Sequence, residues 1–273
     1  MMFKKVKIRL LHSRPGLTLV EMMVSIAIMG IMAAALSTLG ATVQMANQYA
    51  TEQGVSTQHA RVLIERIQRN IAKAHANETF PGVVVIPYTS GGKSFPQALV
   101  IWEPESEAAS PDGSPTLGEL IIYASDPASP NRLLEITFRE STAAVPGASA
   151  YGDWRIYIQG LIDSEKSRVT EITNLIRVGK NLDSDRTEYS TLRFDIRHSP
   201  SDSEFTDYDS ANLRWDELSW ALGISGSNSG LRQTWCRFEF QIMPTSDTSQ
   251  HRELSAQAVP YFGSAAIYYQ VDK

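Results

Sequence analysis

The length, composition and charge of the chain fit one folded domain with an added anchor or targeting segment. The sequence has 273 residues, of which 42% are hydrophobic and 20% are charged. These values are ordinary for a folded soluble protein, so they exclude a multi-span membrane protein and a disordered chain. Five of the 25 Lys and Arg residues lie within the first 16 residues, which contain no acid, so 20 basic and 30 acidic side chains follow. A net charge of −10 after residue 16 argues against a nucleic-acid-binding body.

The amino-terminal segment has a basic start followed directly by a long apolar run. Between Leu17 and Thr51 the single formal charge is that of Glu21, and the 18 residues from Met22 to Leu39 are mostly apolar. A helix of that length rises about 27 Å, close to the roughly 30 Å of a bilayer's hydrocarbon core. Because positive residues stay on the cytoplasmic side, the sequence predicts a single span with the carboxyl-terminal body across the membrane.

The junction between the basic start and the apolar run carries a recognisable motif. Residues 16 to 21 read Gly-Leu-Thr-Leu-Val-Glu. This run resembles the type IV prepilin signature, which has a glycine, a phenylalanine or other apolar residue, Thr-Leu-Ile/Val-Glu and then an apolar helix. Leu17 stands where phenylalanine is commonest, a departure that bears on cleavage efficiency more than on identity.

The resemblance implies a processing pathway. In that family a membrane aspartyl peptidase cuts after the glycine and methylates the new terminal amine. Cleavage after Gly16 would remove residues 1–16 as a leader, leave N-methylated Leu17 first and make Glu21 the fifth residue. The implied location is the inner membrane, as a single-pass protein with a periplasmic head, and then within or at the tip of a pilus or pseudopilus. The implied partners are prepilin peptidase and other pilins or pseudopilins, with no nucleic acid.

Glu21 needs a partner on physical grounds. A carboxylate at the mouth of an apolar segment costs roughly 2.5 to 3.5 kcal/mol unless something neutralises it. The freed amine of Leu17 on a neighbouring subunit is a cation at the same membrane depth. Our hypothesis is that this pair sets the axial register of filament assembly, while one helix face packs against neighbouring helices through Val24, Ile28, Ile31 and Ala35.

An ordinary signal peptide is the alternative interpretation. Small residues at 33–35 and 39–41 loosely satisfy the rule for its cleavage, which would release a soluble exported enzyme or binding protein. Glu21 argues against it, since an ordinary apolar region has no use for a carboxylate.

The apolar run predicts one long helix over residues 17–76, with a membrane-spanning half at about 19–40 and an amphipathic half at about 41–76. Residues 40–76 lack proline, and apolar residues recur at helical spacing up to Ile71. The rest, 77–273, reads as short strands separated by Pro, Gly, Ser and Asp clusters. The predicted fold class is therefore α+β: a long amino-terminal helix followed by a head rich in antiparallel sheet with one wet face.

Eight strands are expected in this head. Residues 161–178 are expected to form a helix or a strand pair, and 213–222 a short helix. The expected strands are Val83–Pro87, Ala98–Trp102, Glu119–Ala124, Leu133–Phe138, Trp154–Gln159, Leu192–Arg197, Trp235–Met243 and Ala265–Val271.

This layout resembles PilW-type minor pilins and GspJ-type minor pseudopilins of type II secretion. Many major pilins close a carboxyl-terminal loop with a disulfide, and Cys236 is the single cysteine. The resemblance implies a structural minor subunit that initiates or caps a type IV pilus or pilus-like filament. Its counterpart in protein export, a minor pseudopilin, is the alternative.

No residue pattern indicates an enzyme. The five histidines are scattered singly, and no nucleophile elbow or phosphate-binding glycine motif is present. Cys236 alternates with aromatic neighbours as in a strand, which predicts a buried, unreactive thiol. Trp215, Trp220 and Trp235 are expected mostly in the core, with an exposed binding patch as the alternative.

No firm metal site or cofactor is predicted, and calcium is a weak candidate. Spaced oxygen ligands on a loop suit calcium, but the glycine and final glutamate of an EF-hand are missing here. A solvated acidic loop is the favoured reading of the candidates, which are Asp202, Glu204, Asp207 and Asp209.

Overall fold

The computed structural model describes most of the chain, and its first element is a long helix. The described residues are 18–90, 93–104, 113–138, 141–165, 167–180, 188–221, 226–254 and 257–272. Helix α1 runs from Leu19 to Ala72. The described chain divides into two compact units, one ending at Glu52 and the other beginning at Gln53. Antiparallel sheets follow α1, which confirms the predicted α+β class.

Two shorter helices and a set of strands follow α1 in the described chain. The helices are α2 (Tyr151–Ile162) and α3 (Asp202–Asp209). The strands are β1 (Val83–Ser90), β2 (Lys93–Trp102), β3 (Leu120–Ser125), β4 (Leu133–Thr137), β5 (Arg168–Thr173), β6 (Val178–Lys180), β7 (Glu188–Ser190), β8 (Arg193–Ser199), β9 (Ser229–Ile242) and β10 (Val259–Asp272).

The strands form three antiparallel sheets. A five-stranded sheet has the order β1-β2-β3-β4-β5, so each strand pairs with its neighbour along the chain. A three-stranded sheet has the order β10-β9-β8, and β6 pairs with β7. Pairing between neighbours in sequence needs only short connections, which is why turn clusters mark the strands so clearly.

The central strands of the five-stranded sheet are buried on both faces, whereas the edge strand β5 is largely exposed. On one face Trp154, Ile158 and Leu161 of α2 pack against alternate strand residues such as Val84 and Val100. The other face contacts α1 and the three-stranded sheet in a second core cluster, whose members include Leu63, Ile67, Ile71, Val83, Leu99, Ile101, Phe194, Phe238 and Phe240. The prediction of one wet face is therefore wrong for this sheet, because helices and a second sheet cover it.

The three-stranded sheet does have one wet face. Along β9 buried residues alternate with more exposed ones, and Cys236, Phe238 and Phe240 point inward. Near its far end, Tyr269 and Val271 of β10 pack with Tyr208 of α3 and with other residues of a small third cluster. In a strand of a sheet packed on one side, apolar and polar residues alternate in the sequence. The exposed face of the three-stranded sheet could therefore be predicted.

One predicted strand, Trp154–Gln159, is wrong because it forms the middle of α2. The segment contains β-branched and aromatic residues, which favour strands. Its buried residues nevertheless recur at positions 154, 158 and 161, a helical spacing that lets one face cover the five-stranded sheet. Tertiary packing here overrides local propensity.

The prediction of a solvated acidic loop around Asp202, Glu204, Asp207 and Asp209 is also wrong. Asp202–Asp209 form α3, whose first turn is closed by a reciprocal Ser201 and Glu204 capping box. The other seven predicted strands are present. Residues 161–178 contain the end of α2, β5 and the first residue of β6. In the described residues 213–221, where a short helix was expected, the structure has a 3₁₀ turn at Trp215–Glu217.

Candidate functional site

The start of α1 is fixed by hydrogen bonds between Thr18 and Glu21. The Thr18 backbone N–H and its hydroxyl both donate to Glu21 Oε2, each at 2.9 Å. The Glu21 N–H donates back to the Thr18 hydroxyl at 3.3 Å. Because Thr18 precedes the first helical residue and Glu21 is the third, this is a capping box that satisfies two otherwise unpaired N–H groups.

The capping box leaves part of the Glu21 carboxylate available. Among the described residues, Glu21 Oε1 accepts no hydrogen bond. Gly16 and Leu17, the predicted processing site, lie outside the described residues. A carboxylate with one oxygen held by its own helix and one open is oriented to accept a further donor, which in an apolar surrounding would be strongly favoured.

The first unit presents an apolar helix surface. Every residue from 18 to 51 is exposed, and the predicted packing residues Val24, Ile28 and Ile31 are 52%, 52% and 71% exposed. Ala35 is exposed on the same helix. Among the described helices, α1 alone is long and apolar enough to cross a membrane. No residue of its most apolar 18-residue window is buried. So large an apolar surface needs lipid or other helices around it.

Three hydroxyl groups in the second half of this apolar stretch donate hydrogen bonds to the helix itself. Ser37 donates to the carbonyl of Ala33 at 2.9 Å, and Thr42 donates to that of Thr38 at 2.9 Å. Thr38 in turn donates to the Ala35 carbonyl at 2.8 Å. Bonds of this kind to the preceding turn let serine and threonine lie in an apolar medium at little cost, so these residues are compatible with a membrane span.

In the second unit α1 is tied to the five-stranded sheet by a polar network. Arg66 donates through Nε and one terminal nitrogen to both oxygens of Glu135, each at 2.6 Å. Tyr123 donates to Glu135 Oε2 at 2.8 Å, and Asn70 donates to the Tyr123 hydroxyl at 2.8 Å. Burial and the Glu135 charge raise the pKa of Tyr123, while the Glu135 hydrogen bond raises that of Arg66. Both groups therefore keep their protons, and the network holds α1 in place.

All four acidic candidates for calcium lie on α3, and Asp202 and Glu204 make contacts of their own. Asp202 pairs with Arg232 at 2.6 Å and with His198 at 2.8 Å. Glu204 accepts from the Ser201 N–H and hydroxyl, and these bonds lower its pKa. Within the described part of the chain no group of three or more His, Cys, Asp or Glu could hold a metal. Calcium binding, for which Asp207 and Asp209 are the other weak candidates, stays untested.

The remaining candidates are mostly structural. Cys236 is fully buried, and burial raises its pKa to about 12, so the thiol is unreactive as expected. Trp215 is fully buried, Trp235 is partly buried beneath Arg197, and Trp220 is 81% exposed. The three tryptophans therefore do not form one exposed patch.

Two functional contacts were missed at the level of sequence. The Thr18 to Glu21 spacing is that of a capping box, so the helix start could have been found from it. The network of Arg66, Tyr123 and Glu135 had only one signal, a lone glutamate in the apolar run of β4. Nothing in a single sequence says that its partner lies on α1.

Comparison with known proteins places one recognised motif on this chain. A family model described as the prokaryotic N-terminal methylation motif matches residues 11–37. No curated protein and no solved structure matches the chain. The match covers the end of the basic start, the Gly16 junction and the apolar helix as far as Ser37.

The chain therefore carries a type IV prepilin or pseudopilin-type signature, as the sequence predicted. The motif, together with an exposed apolar helix at its place in the fold, supports a pilin-like or pseudopilin-like subunit anchored in the membrane by a single pass. It implies processing by prepilin peptidase and assembly with other pilins, and a structural role in place of an enzymatic one.

Proposed function

We propose that the protein is a minor subunit that initiates or caps a type IV pilus or a pilus-like filament. The observation that carries the proposal is the methylation motif at residues 11–37 on an exposed apolar helix. The single buried Cys236 supports a minor role, because a disulfide-closed loop of the kind found in many major pilins cannot form within this chain.

In this proposal the subunit waits in the inner membrane with its head in the periplasm. Removal of residues 1–16 frees the amine of Leu17. Glu21, which its own capping box orients, accepts the Leu17 amine of a neighbour through its open Oε1. The helix face of Val24, Ile28, Ile31 and Ala35 then packs against other subunits.

The first experiment is mass spectrometry of the mature amino terminus from cells that contain the native peptidase. The proposal expects a chain that begins with N-methylated Leu17. A mature chain that begins near residue 36 or 42 would instead support an ordinary signal peptide and a soluble exported protein. An uncleaved chain would contradict both processing schemes.

The second experiment separates the pairing role of Glu21 from its capping role. Glu21→Val should leave membrane insertion intact and block incorporation into filaments. Thr18→Ala removes the two capping contacts of the hydroxyl and keeps the carboxylate, so it should still be incorporated. Glu65→Val, at an exposed position of the same helix, is the matched control. Normal incorporation of the Glu21 variant, measured in sheared filament fractions, would rule out the pairing.

Copy number tests the minor role. Quantitative mass spectrometry of purified filaments should find this subunit at a small fraction of the main subunit, and deletion of its gene should lower the number of filaments. An abundance equal to that of the main subunit would contradict the proposal. The same deletion strain, assayed for surface pili and for protein export, identifies which filament the subunit serves.

A further inference from the structure

The two larger sheets have four edge strands, and three of these are protected. β1 carries Pro87 and an irregular register beside it. β5 is six residues long and includes Arg168 and Glu171, while β8 includes Arg193, Asp195 and Arg197. Prolines, irregularities, short length and charges are the devices that stop an edge from pairing with another chain.

β10 is the exception. It pairs with β9 in an unbroken register over 14 residues and contains no charged residue from Val259 to Val271. Its single proline, Pro260, lies at the second position. A long, regular and uncharged edge strand offers a row of backbone donors and acceptors to any extended segment.

Only the first half of this edge is covered by described residues. Gln68 of α1 donates to the Ser264 carbonyl at 2.9 Å, and the Thr57 hydroxyl lies 3.0 Å from that of Tyr261. From Ala265 to Val271, β9 supplies the only hydrogen bonds to the β10 backbone within the part of the chain that the structure describes. The free half is seven residues long, or about 24 Å.

The β9 and β10 residues on the wet face beside the free half are uncharged too, and the nearest charges are Arg197 of β8, which lies over the Trp235 ring, and Asp272 at the end of β10. On that face Ala266 lies opposite Trp235, and Tyr268 lies opposite Gln233 and accepts a hydrogen bond from its amide at 2.8 Å. Along β9 the first charged side chain on this face is that of Arg237, which lies opposite Ser264 in the covered half. The free edge and the uncharged face therefore coincide, with the 57% exposed ring of Tyr268 at their centre.

We propose that the Ala265–Val271 half of β10 is a strand-addition site for a separate polypeptide. The occupant is an extended, uncharged segment with β-branched or aromatic side chains at alternate positions. Its backbone pairs with the free edge of β10, and its outward side chains pack on Tyr268 and beside Ala266. A charged segment is disfavoured, because its charges would be desolvated against adjacent β9 and β10 side chains that offer no opposite charge.

The test uses the full-length protein in detergent and a fluorescent peptide of seven alternating valines and threonines with one lysine outside each end. Saturable binding is expected by fluorescence anisotropy. The same peptide with every amide N-methylated should bind at least tenfold more weakly, because neither of its edges can donate hydrogen bonds. No saturable binding up to millimolar protein, or equal binding of both peptides, would overturn the proposal.

Two lysine variants on the same strand locate the site. Ala266→Lys places a charge beside the free half and should weaken peptide binding at least tenfold, while Ser264→Lys lies in the covered half and should change it less than threefold. Hydrogen exchange gives a readout that needs no variant. Peptide should slow exchange in residues 265–271 and leave β8 unchanged, and protection at another edge would overturn the assignment.

Discussion

Arg66 of α1 and Glu135 of β4 form a two-pronged ion pair in which both carboxylate oxygens accept a hydrogen bond at 2.6 Å. Glu135 is 8% exposed and is the single charged residue of β4, between Leu134 and Ile136. A buried carboxylate is tolerated only where charge and hydrogen bonds compensate it. The pair therefore fixes how α1 sits on the five-stranded sheet.

Removing the cation from this pair should destabilise the head. Arg66→Ala leaves Glu135 with the Tyr123 hydroxyl as its remaining described partner, so the free energy of unfolding should fall by about 2 kcal/mol. Urea denaturation followed by tryptophan fluorescence measures the change.

Two further variants test the cause. Arg61→Ala removes an exposed arginine from the same helix and should change the stability by less than about 0.5 kcal/mol. Arg66→Met combined with Glu135→Leu removes both charges and should recover most of the loss. If the double variant is as unstable as Arg66→Ala, the buried charge is not the cause.

Gly82, just before β1, should tolerate no side chain. Its φ of +78° lies in the left-handed region, and an added Cβ would lie 2.5 Å from Ile267 Cδ1 and 2.7 Å from the His75 carbonyl oxygen. Gly82→Ala should therefore lower the free energy of unfolding by about 2 kcal/mol.

Gly160 provides the matched control for this change. It lies within α2, and an added Cβ there would meet no atom within 4 Å. Gly160→Ala should raise stability by about 0.5 to 1 kcal/mol, because alanine is the better helix former. Thermal melts of both variants check the pair of predictions, and a stable Gly82 variant would contradict the close contacts at that turn.

Much of the fold was predictable from local patterns. The apolar run from Leu19 and the period-two alternation around Phe194 and Phe238 each follow from burial of one side of one element. The methylation motif was equally readable, because the residues that define it are contiguous.

Features that depend on distant contacts were not predictable. Residues 154–159 have strand propensity, and they form a helix because the five-stranded sheet offers an apolar face for Trp154 and Ile158. In the sequence, the acids near Asp202 have the pattern of a solvated loop. In the structure, Asp202 pairs with Arg232, which lies thirty residues later in the chain. Long-range pairing of this kind leaves no trace in the local sequence.

Cys236 should resist thiol reagents while the head is folded. Its side chain is fully buried, and burial raises its pKa to about 12, so the reactive thiolate is scarce at pH 8. Labelling with a maleimide should proceed at the rate of unfolding and become fast in 6 M guanidinium. Rapid labelling under native conditions would show that the inner face of β9 opens, and Cys236→Ala, which should not label, is the control.

The last prediction concerns pH and the contacts that hold α3. The His198 Nδ1 lies 2.8 Å from Asp202 Oδ1, which also accepts from Arg232 at 2.6 Å, and Arg232 reaches the Tyr269 hydroxyl at 3.3 Å. Burial lowers the pKa of His198, and the Arg232 charge adds to this, although Asp202 acts in the opposite direction. Burial would raise the pKa of Asp202, but His198 and Arg232 hold it below its ordinary value of 3.8.

These shifts fix the sign of the pH dependence. A histidine whose pKa is lowered on folding binds protons more readily in the unfolded chain, so stability is complete above the unfolded pKa of about 6.5 and falls as the pH drops below it. One such group contributes at most about 1.4 kcal/mol per pH unit. The Asp202 contribution is lost only below about pH 4, outside this window.

Urea unfolding at pH 7.5 and 5.5 should show the loss of stability at the lower pH. His198→Asn should reduce that loss, while His59→Asn, at an exposed site on α1, should leave it unchanged. If the His198 variant loses as much stability between pH 7.5 and pH 5.5 as the unchanged protein, the pH dependence belongs to other groups.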